Sequence, residues 1–149
     1  PTLLDFLDIP FESQLTLPGR SFASILNGKA GEKHDFIVVF DEYGPVRMIR
    51  SQEWKYVHRY PYGPNELYDL VNDPDERDNL IGDPVRQDIV QSYRAQLEKW
   101  FLSYSQPDLD GTRQDVYGKG QLSQVGIKSE GKTVFSNDWY YIDRDGNKI

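Results

Sequence analysis

Between Val46 and Leu80 the chain reads VRMIRSQEWKYVHRYPYGPNELYDLVNDPDERDNL, and that order of residue types leaves few folds open. Val46–Arg50 and Trp54–Tyr60 are rich in β-branched and aromatic residues and are joined by the polar Ser51-Gln52-Glu53, the pattern of a hairpin. Pro61, Gly63 and Pro64 end the second strand, because proline cannot donate to a ladder. Glu66–Leu70 then reads as a short strand, and Asp73-Pro74 opens an acidic turn. Ahead of the hairpin, Phe36-Ile37-Val38-Val39-Phe40 is a continuous apolar run, the expectation for a strand buried on both faces and broken at Gly44-Pro45. An antiparallel sheet of about four strands is expected.

One long amphipathic helix follows. Asp83 is a ready N-cap with Pro84 at the first helical position. Ile89, Tyr93, Leu97, Trp100, Phe101 and Tyr104 then recur at three- and four-residue spacings, forming one apolar stripe. Such a stripe must be buried, Trp100 with it, and the sheet is the available partner. The expected fold class is therefore α+β, the sheet covered on one face by the helix starting near Pro84.

The flanks read differently. Leu3, Leu4, Phe6, Leu7 and Ile9 are too dense for a free surface, so residues 1–9 read as a helix entered midway. Gly19-Arg20-Ser21 opens a short helical segment through Leu26, stopped by Asn27-Gly28, and Lys29–His34 is a loop. After Pro107 the chain becomes polar and Gly-rich. There Val125–Lys128, Lys132–Phe135 and Trp139–Ile142 are expected as short strands of a β-rich tail, with Asp145-Gly146 a turn.

Composition excludes several classes. The 149 residues suffice for one domain with an appendage. A net charge of -7 argues against nucleic acid as a partner, since phosphate contacts need a basic face. No apolar run approaches the roughly 20 residues of a bilayer crossing, so no membrane partner is expected. The absence of cysteine removes disulfides, thiol catalysis and zinc–thiolate sites together. A mean hydropathy of -0.68 predicts a small core, to which the 13% aromatic residues bring large buried faces.

Basic residues on a strand, then Trp54-Lys55-Tyr56, Glu66-Leu67-Tyr68-Asp69-Leu70, Asn72-Asp73-Pro74, Glu76 and Asn79-Leu80, resemble the C-terminal subdomain of the type I, formylglycine-dependent sulfatases of the alkaline-phosphatase-like superfamily. Pro1-Thr2-Leu3-Leu4-Asp5, Ile9-Pro10 and Gly19-Arg20-Ser21-Phe22, with Leu26 and Gly28, are similar to the segment joining such an enzyme's large domain to its small one. The resemblance covers roughly residues 1–110. It implies a linker and helix remnant over 1–34, the subdomain itself over 35–106 and an extended tail over 107–149.

The same resemblance implies a division of labour. The family's nucleophile is made from Cys or Ser in a C/S-x-P-x-R motif, and this chain has no Cys and no Ser followed by x-P-x-R. Calcium and formylglycine are therefore expected in an N-terminal catalytic domain, the partner against which this chain would pack. The chain alone is expected to hold no catalytic residue, metal or cofactor and to be inactive. The whole enzyme would act on a sulfated small molecule or carbohydrate. The isolated chain, with its apolar arm uncovered, is expected to self-associate.

Two clusters invite chemistry. In the acidic run Asp69, Asn72, Asp73, Asp75, Glu76 and Asp78, Pro74 interrupts the alternation of a calcium loop and the required Gly is missing, so a hydrogen-bonded turn is favoured. His58, Arg59, Tyr60 and Tyr62, where a strand runs out into a Pro/Gly loop, are the candidates for substrate contact in the assembled enzyme. They combine donors for an anion with faces for a ring. Alternation, however, puts Trp54, Tyr56, His58 and Tyr60 on one face and Lys55, Val57 and Arg59 on the other. The competing expectation is an aromatic sheet face under the helix with Arg59 solvated. Arg47 and Arg50 are expected on opposite faces, one of them paired with Asp41 or Glu42, and His34 is expected to be solvated. The alternative function is an autonomous carbohydrate- or protein-binding module.

Overall fold

In the computed structural model of the chain the described residues are 1–10, 17–31, 34–40, 46–111 and 147. The expected tail strands, Asp41, Glu42 and the break at Gly44-Pro45 lie outside them. The elements are α1 (Thr2–Phe6), α2 (Ala23–Leu26), β1 (Ile37–Phe40), β2 (Val46–Arg50), β3 (Trp54–Arg59), β4 (Glu66–Asp69) and α3 (Gln87–Tyr104). A 3-10 turn at Pro84–Arg86 leads into α3, and another follows it at Pro107–Leu109. The sheet is antiparallel throughout, in the order β1-β2-β3-β4. The α+β architecture is the expected one.

Register decides which face becomes core. Ile49 of β2 sits opposite Tyr56 of β3, and Tyr56 opposite Leu67 of β4, so the three form one row across the sheet. Leu97 and Phe101 of α3 close over that row, and the five residues form the buried cluster. Each such side chain contributes about 1.5–3 kcal/mol by leaving water. Ile89, Tyr93 and Trp100 pack around the cluster partly buried.

Local chemistry holds the connections. In the β2–β3 turn the Ser51 Oγ accepts from the amides of Glu53 and Trp54, each at 3.0 Å. Gly63, at φ 82, takes a conformation that side chains rarely adopt, and its amide donates to the carbonyl of Arg59, the last residue of β3, at 2.8 Å. Asn79 Oδ1 accepts from the amides of Leu67 (3.0 Å) and Ile81 (3.1 Å), tying the acidic turn to β4. Asp83 Oδ1 caps the Val85 amide at 2.9 Å. Beyond that cap the chain makes a 3-10 turn first, and the α-helix proper begins at Gln87.

Two expectations about burial are corrected. β1 is not buried on both faces: Ile37, Val39 and Phe40 are each about half exposed, and Val38 is partly covered. The reason is position, since β1 is the sheet's edge and α3 lies across β2 and β3. Trp100 is not a central residue either. It stands at the rim, partly buried, with its ring 6.0 Å from that of Phe40 and 5.0 Å from that of Tyr104, while Leu97 and Phe101 fill the interior.

Candidate functional site

The core face changes character towards one end of the sheet. Arg47 pairs in register with His58, so both project on the same side as Ile49 and Tyr56. The Tyr56 hydroxyl and His58 Nδ1 share a hydrogen bond of 2.6 Å. The His58 ring lies 4.1 Å from that of Tyr60. Arg47 lays its guanidinium over the Phe101 ring at 3.5 Å, with the Tyr60 ring 5.2 Å away, and its Nη2 donates to Asp110 Oδ1. Beside it opens a cleft of about 420 Å³, walled by Arg47, Tyr60, Phe101, Ser105, Pro107 and Asp110.

Burial sets the protonation states. Desolvation pushes the His58 imidazole down to about 4, helped by the Arg94 and Arg47 charges and opposed by Glu98. Desolvation also pushes the Tyr56 phenol up to about 12 and raises that of Tyr60. At neutral pH Tyr60 therefore lines the cleft as a protonated phenol, and behind it stand the neutral His58 imidazole and the protonated Tyr56 phenol. A histidine in this state is poorly matched to proton transfer near pH 7. The charges at the cleft come from Arg47 and Asp110 and from the Arg94–Glu98 pair on α3, at 2.9 Å. Such an arrangement suits recognition of an anion and a ring face.

The four candidate residues do not converge. Tyr60 lines the cleft, and His58 packs against it from behind. Tyr62 stands on the following loop, more than half exposed. Arg59 points to the opposite face of β3 and is not solvated: it is buried, with Nη1 2.8 Å from Glu66 Oε1 and 2.7 Å from the Pro64 carbonyl oxygen. A strand's twofold alternation makes that separation unavoidable.

Arg47 and Arg50 do face opposite sides, Arg47 buried and Arg50 exposed, but Arg47 meets Asp110, 63 residues away. The phase shared by Arg47, Ile49, Tyr56 and His58 was a usable signal for the arginine, while nothing local marks Asp110 as its partner. His34 is exposed beside Asp35.

The acidic run is bound up in its own turn. Asp69 Oδ1 accepts from the amides of Val71 (3.1 Å) and Asn72 (3.0 Å), and its Oδ2 from the Asn72 side chain at 2.8 Å. Asp73 Oδ2 accepts from the Asp78 amide at 2.9 Å, and Glu76 turns the chain at φ 55.

A helix-covered antiparallel meander carrying this run of residues has clear relatives. Residues 1–102 match the C-terminal domain of N-sulphoglucosamine sulphohydrolase, and the chain belongs to that family of sulfatase C-terminal domains. It is 34% identical over 123 residues to the Delta 4,5-hexuronate-2-O-sulfatase of Bacteroides thetaiotaomicron, a match covering 78% of this chain and 25% of that protein. A solved 2-O GAG sulfatase is similar at 35% identity and a TM-score of 0.56, over 68% of this chain and 23% of the other. The phosphonate monoester hydrolase of Agrobacterium radiobacter is similar at 25% identity and a TM-score of 0.56, over 68% of this chain and 23% of the other. The chain thus spans about a quarter of the length of the relatives it matches.

Proposed function

We propose that this chain is the non-catalytic C-terminal part of a sulfuric ester hydrolase, packing on a catalytic domain and forming one wall of its substrate cleft. The observation that carries the reading is chemical. The chain is 34% identical to a sulfatase over a quarter of that enzyme's length, yet its 149 residues contain neither Cys nor a Ser in the S-x-P-x-R setting that formylglycine formation requires. The nucleophile, and the calcium that would polarise the ester, then belong to the catalytic domain. A sulfated small molecule or carbohydrate is the substrate class.

The apolar arm supports docking. α1 buries none of its residues and α2 buries only Ala23. Leu3, Leu7, Phe22, Ile25 and Leu26 are each more than half exposed. Helices of one turn are not stable in water by themselves, so a covering surface is required. For the cleft wall the candidates are His58 and Tyr60 on the core face, Tyr62 on the loop beyond, and Arg59 holding that loop through Glu66 and Pro64.

The test is a chimera in which residues 1–110 replace the matching quarter of the hexuronate-2-O-sulfatase. Restored, calcium-dependent hydrolysis of a 2-O-sulfated substrate is expected, with no hydrolysis of a chromogenic sulfate by the isolated chain. Turnover by the isolated chain that follows the purified protein would overturn the reading.

A further inference from the structure

We infer that the Arg47 cleft is a binding pocket for a pyranose bearing a carboxylate or sulfate group, and that the chain's own Asp110 fills its anion position. Arg47 is in place before any ligand arrives. It comes from the interior strand β2, and its guanidinium is fixed by the Phe101 ring at 3.5 Å and the Tyr60 ring at 5.2 Å. Its side chain is only 9% exposed, and a cation so placed requires an anion.

Asp110 meets that requirement from a different kind of position. Its side chain is 31% exposed, and it follows the short 3-10 turn after α3, where its amide reaches the Pro107 carbonyl at 3.4 Å. The arginine belongs to the sheet–helix frame, while its carboxylate partner belongs to a peripheral turn. An incoming carboxylate or sulfate offers oxygens of the same kind to the same donors, and a guanidinium binds either by charge-assisted hydrogen bonds.

The space beside Arg47 fits a ring attached to that anion. About 420 Å³ lies within the ordinary range for small-molecule sites, roughly 300–1,000 Å³. Tyr60 and Pro107 offer faces for a sugar, and Ser105 and Glu98 offer polar groups for ring hydroxyls. Neutral His58 backs Tyr60 without adding charge, so the anion is read by Arg47. The chain's net charge of -7 also disfavours indiscriminate anion binding, which makes saturable binding informative. The choice of a sugar rests on the sulfatase reading above; the anion position does not.

The experiment compares the full chain with its Asp110→Asn variant by calorimetric titration with glucosamine 6-sulfate, glucuronic acid, neutral glucose and inorganic sulfate. The variant is expected to bind both anionic sugars at least about tenfold more tightly than the parent chain. Inorganic sulfate should bind more weakly and glucose not measurably, and adding Arg47→Lys should abolish the gain. Equal affinity in parent and variant, binding that survives Arg47→Lys, or equal binding of glucose would overturn the pocket. Should Asp110→Asn not fold, the parent chain titrated with glucosamine 6-sulfate and followed by NMR decides: the Arg47, Phe101 and Asp110 signals must move together and saturate, and their failure to move overturns it. None of these measurements needs a catalytic domain. A chimera without activity beside a chain that binds refutes the sulfatase reading and leaves the pocket standing, and the reverse result does the opposite.

Discussion

The hydroxyl of Tyr93, midway along α3, donates to the Ser51 Oγ in the β2–β3 turn at 2.7 Å. That oxygen already accepts from two turn amides, so one small side chain joins the hairpin's geometry to the helix that covers it. Tyr93→Phe removes only the link and should cost about 1 kcal/mol. Ser51→Ala also leaves two turn amides without their acceptor and should cost more, about 1–3 kcal/mol. In a urea-denaturation double-mutant cycle the losses should be less than additive; strict additivity would mean that the bond contributes nothing.

The interior placement of Leu97 and the rim placement of Trp100 give a graded expectation. Leu97→Ala should cost about 2–5 kcal/mol through the cavity it opens. Trp100→Ala should cost about 1–2 kcal/mol, because solvent already reaches part of the ring. Lys99→Ala, on the exposed side of the helix, should stay within about 0.5 kcal/mol. Thermal denaturation of the three variants orders them, and a Trp100 loss equal to that of Leu97 would refute the packing described.

His58 makes stability depend on pH in a definite direction. Its folded pKa of about 4 lies below the ordinary imidazole value of 6.5, so between those values the unfolded chain binds the proton and the folded chain does not. Stability from this group is therefore complete above about pH 6.5 and declines as the pH falls towards 4. After discounting for solvent screening, the loss is on the order of 1–2 kcal/mol. His58→Asn should flatten that part of the profile when urea midpoints are compared between pH 7 and pH 4.5. An unchanged slope would assign the acid sensitivity to other groups.

The exposed arm predicts association in isolation. Leu3 is 74% and Leu7 61% exposed on α1. The 149-residue chain should sediment as a concentration-dependent mixture of monomer and larger species. Leu3→Ser with Leu7→Ser should return it to monomer with little change in melting temperature, since neither residue belongs to the buried cluster. A parent chain that stays monomeric at high concentration would remove the docking role of the arm.

The parts of the fold that were legible are those specified locally. Alternation marked β2 and β3, Pro61 and Pro64 marked the end of β3, and Asp83-Pro84 marked the approach to α3. β1 was misjudged because a run such as Phe36–Phe40 reads the same whether its second face meets protein or water. The cleft was half legible. The shared phase of His58 and Tyr60 and the opposite phase of Arg59 both follow from strand geometry, whereas the burial of Arg59 against Glu66 and Pro64 does not. The Arg47–Asp110 pair joins residues 63 apart, and no periodicity operates over such a distance.

The strand order has a consequence for biosynthesis. Because β1, β2, β3 and β4 pair in the order in which they are made, each ladder can close over a short loop as soon as its second strand is available. Local pairing of this kind lowers contact order and favours fast assembly. During translation the sheet can be complete before Leu97 and Phe101 emerge from the ribosome, and α3 then arrives as a lid on a finished platform. A sheet whose strands all find their partners among their sequence neighbours needs no distant segment to complete it, so only the apolar arm ahead of it is left waiting for a covering surface.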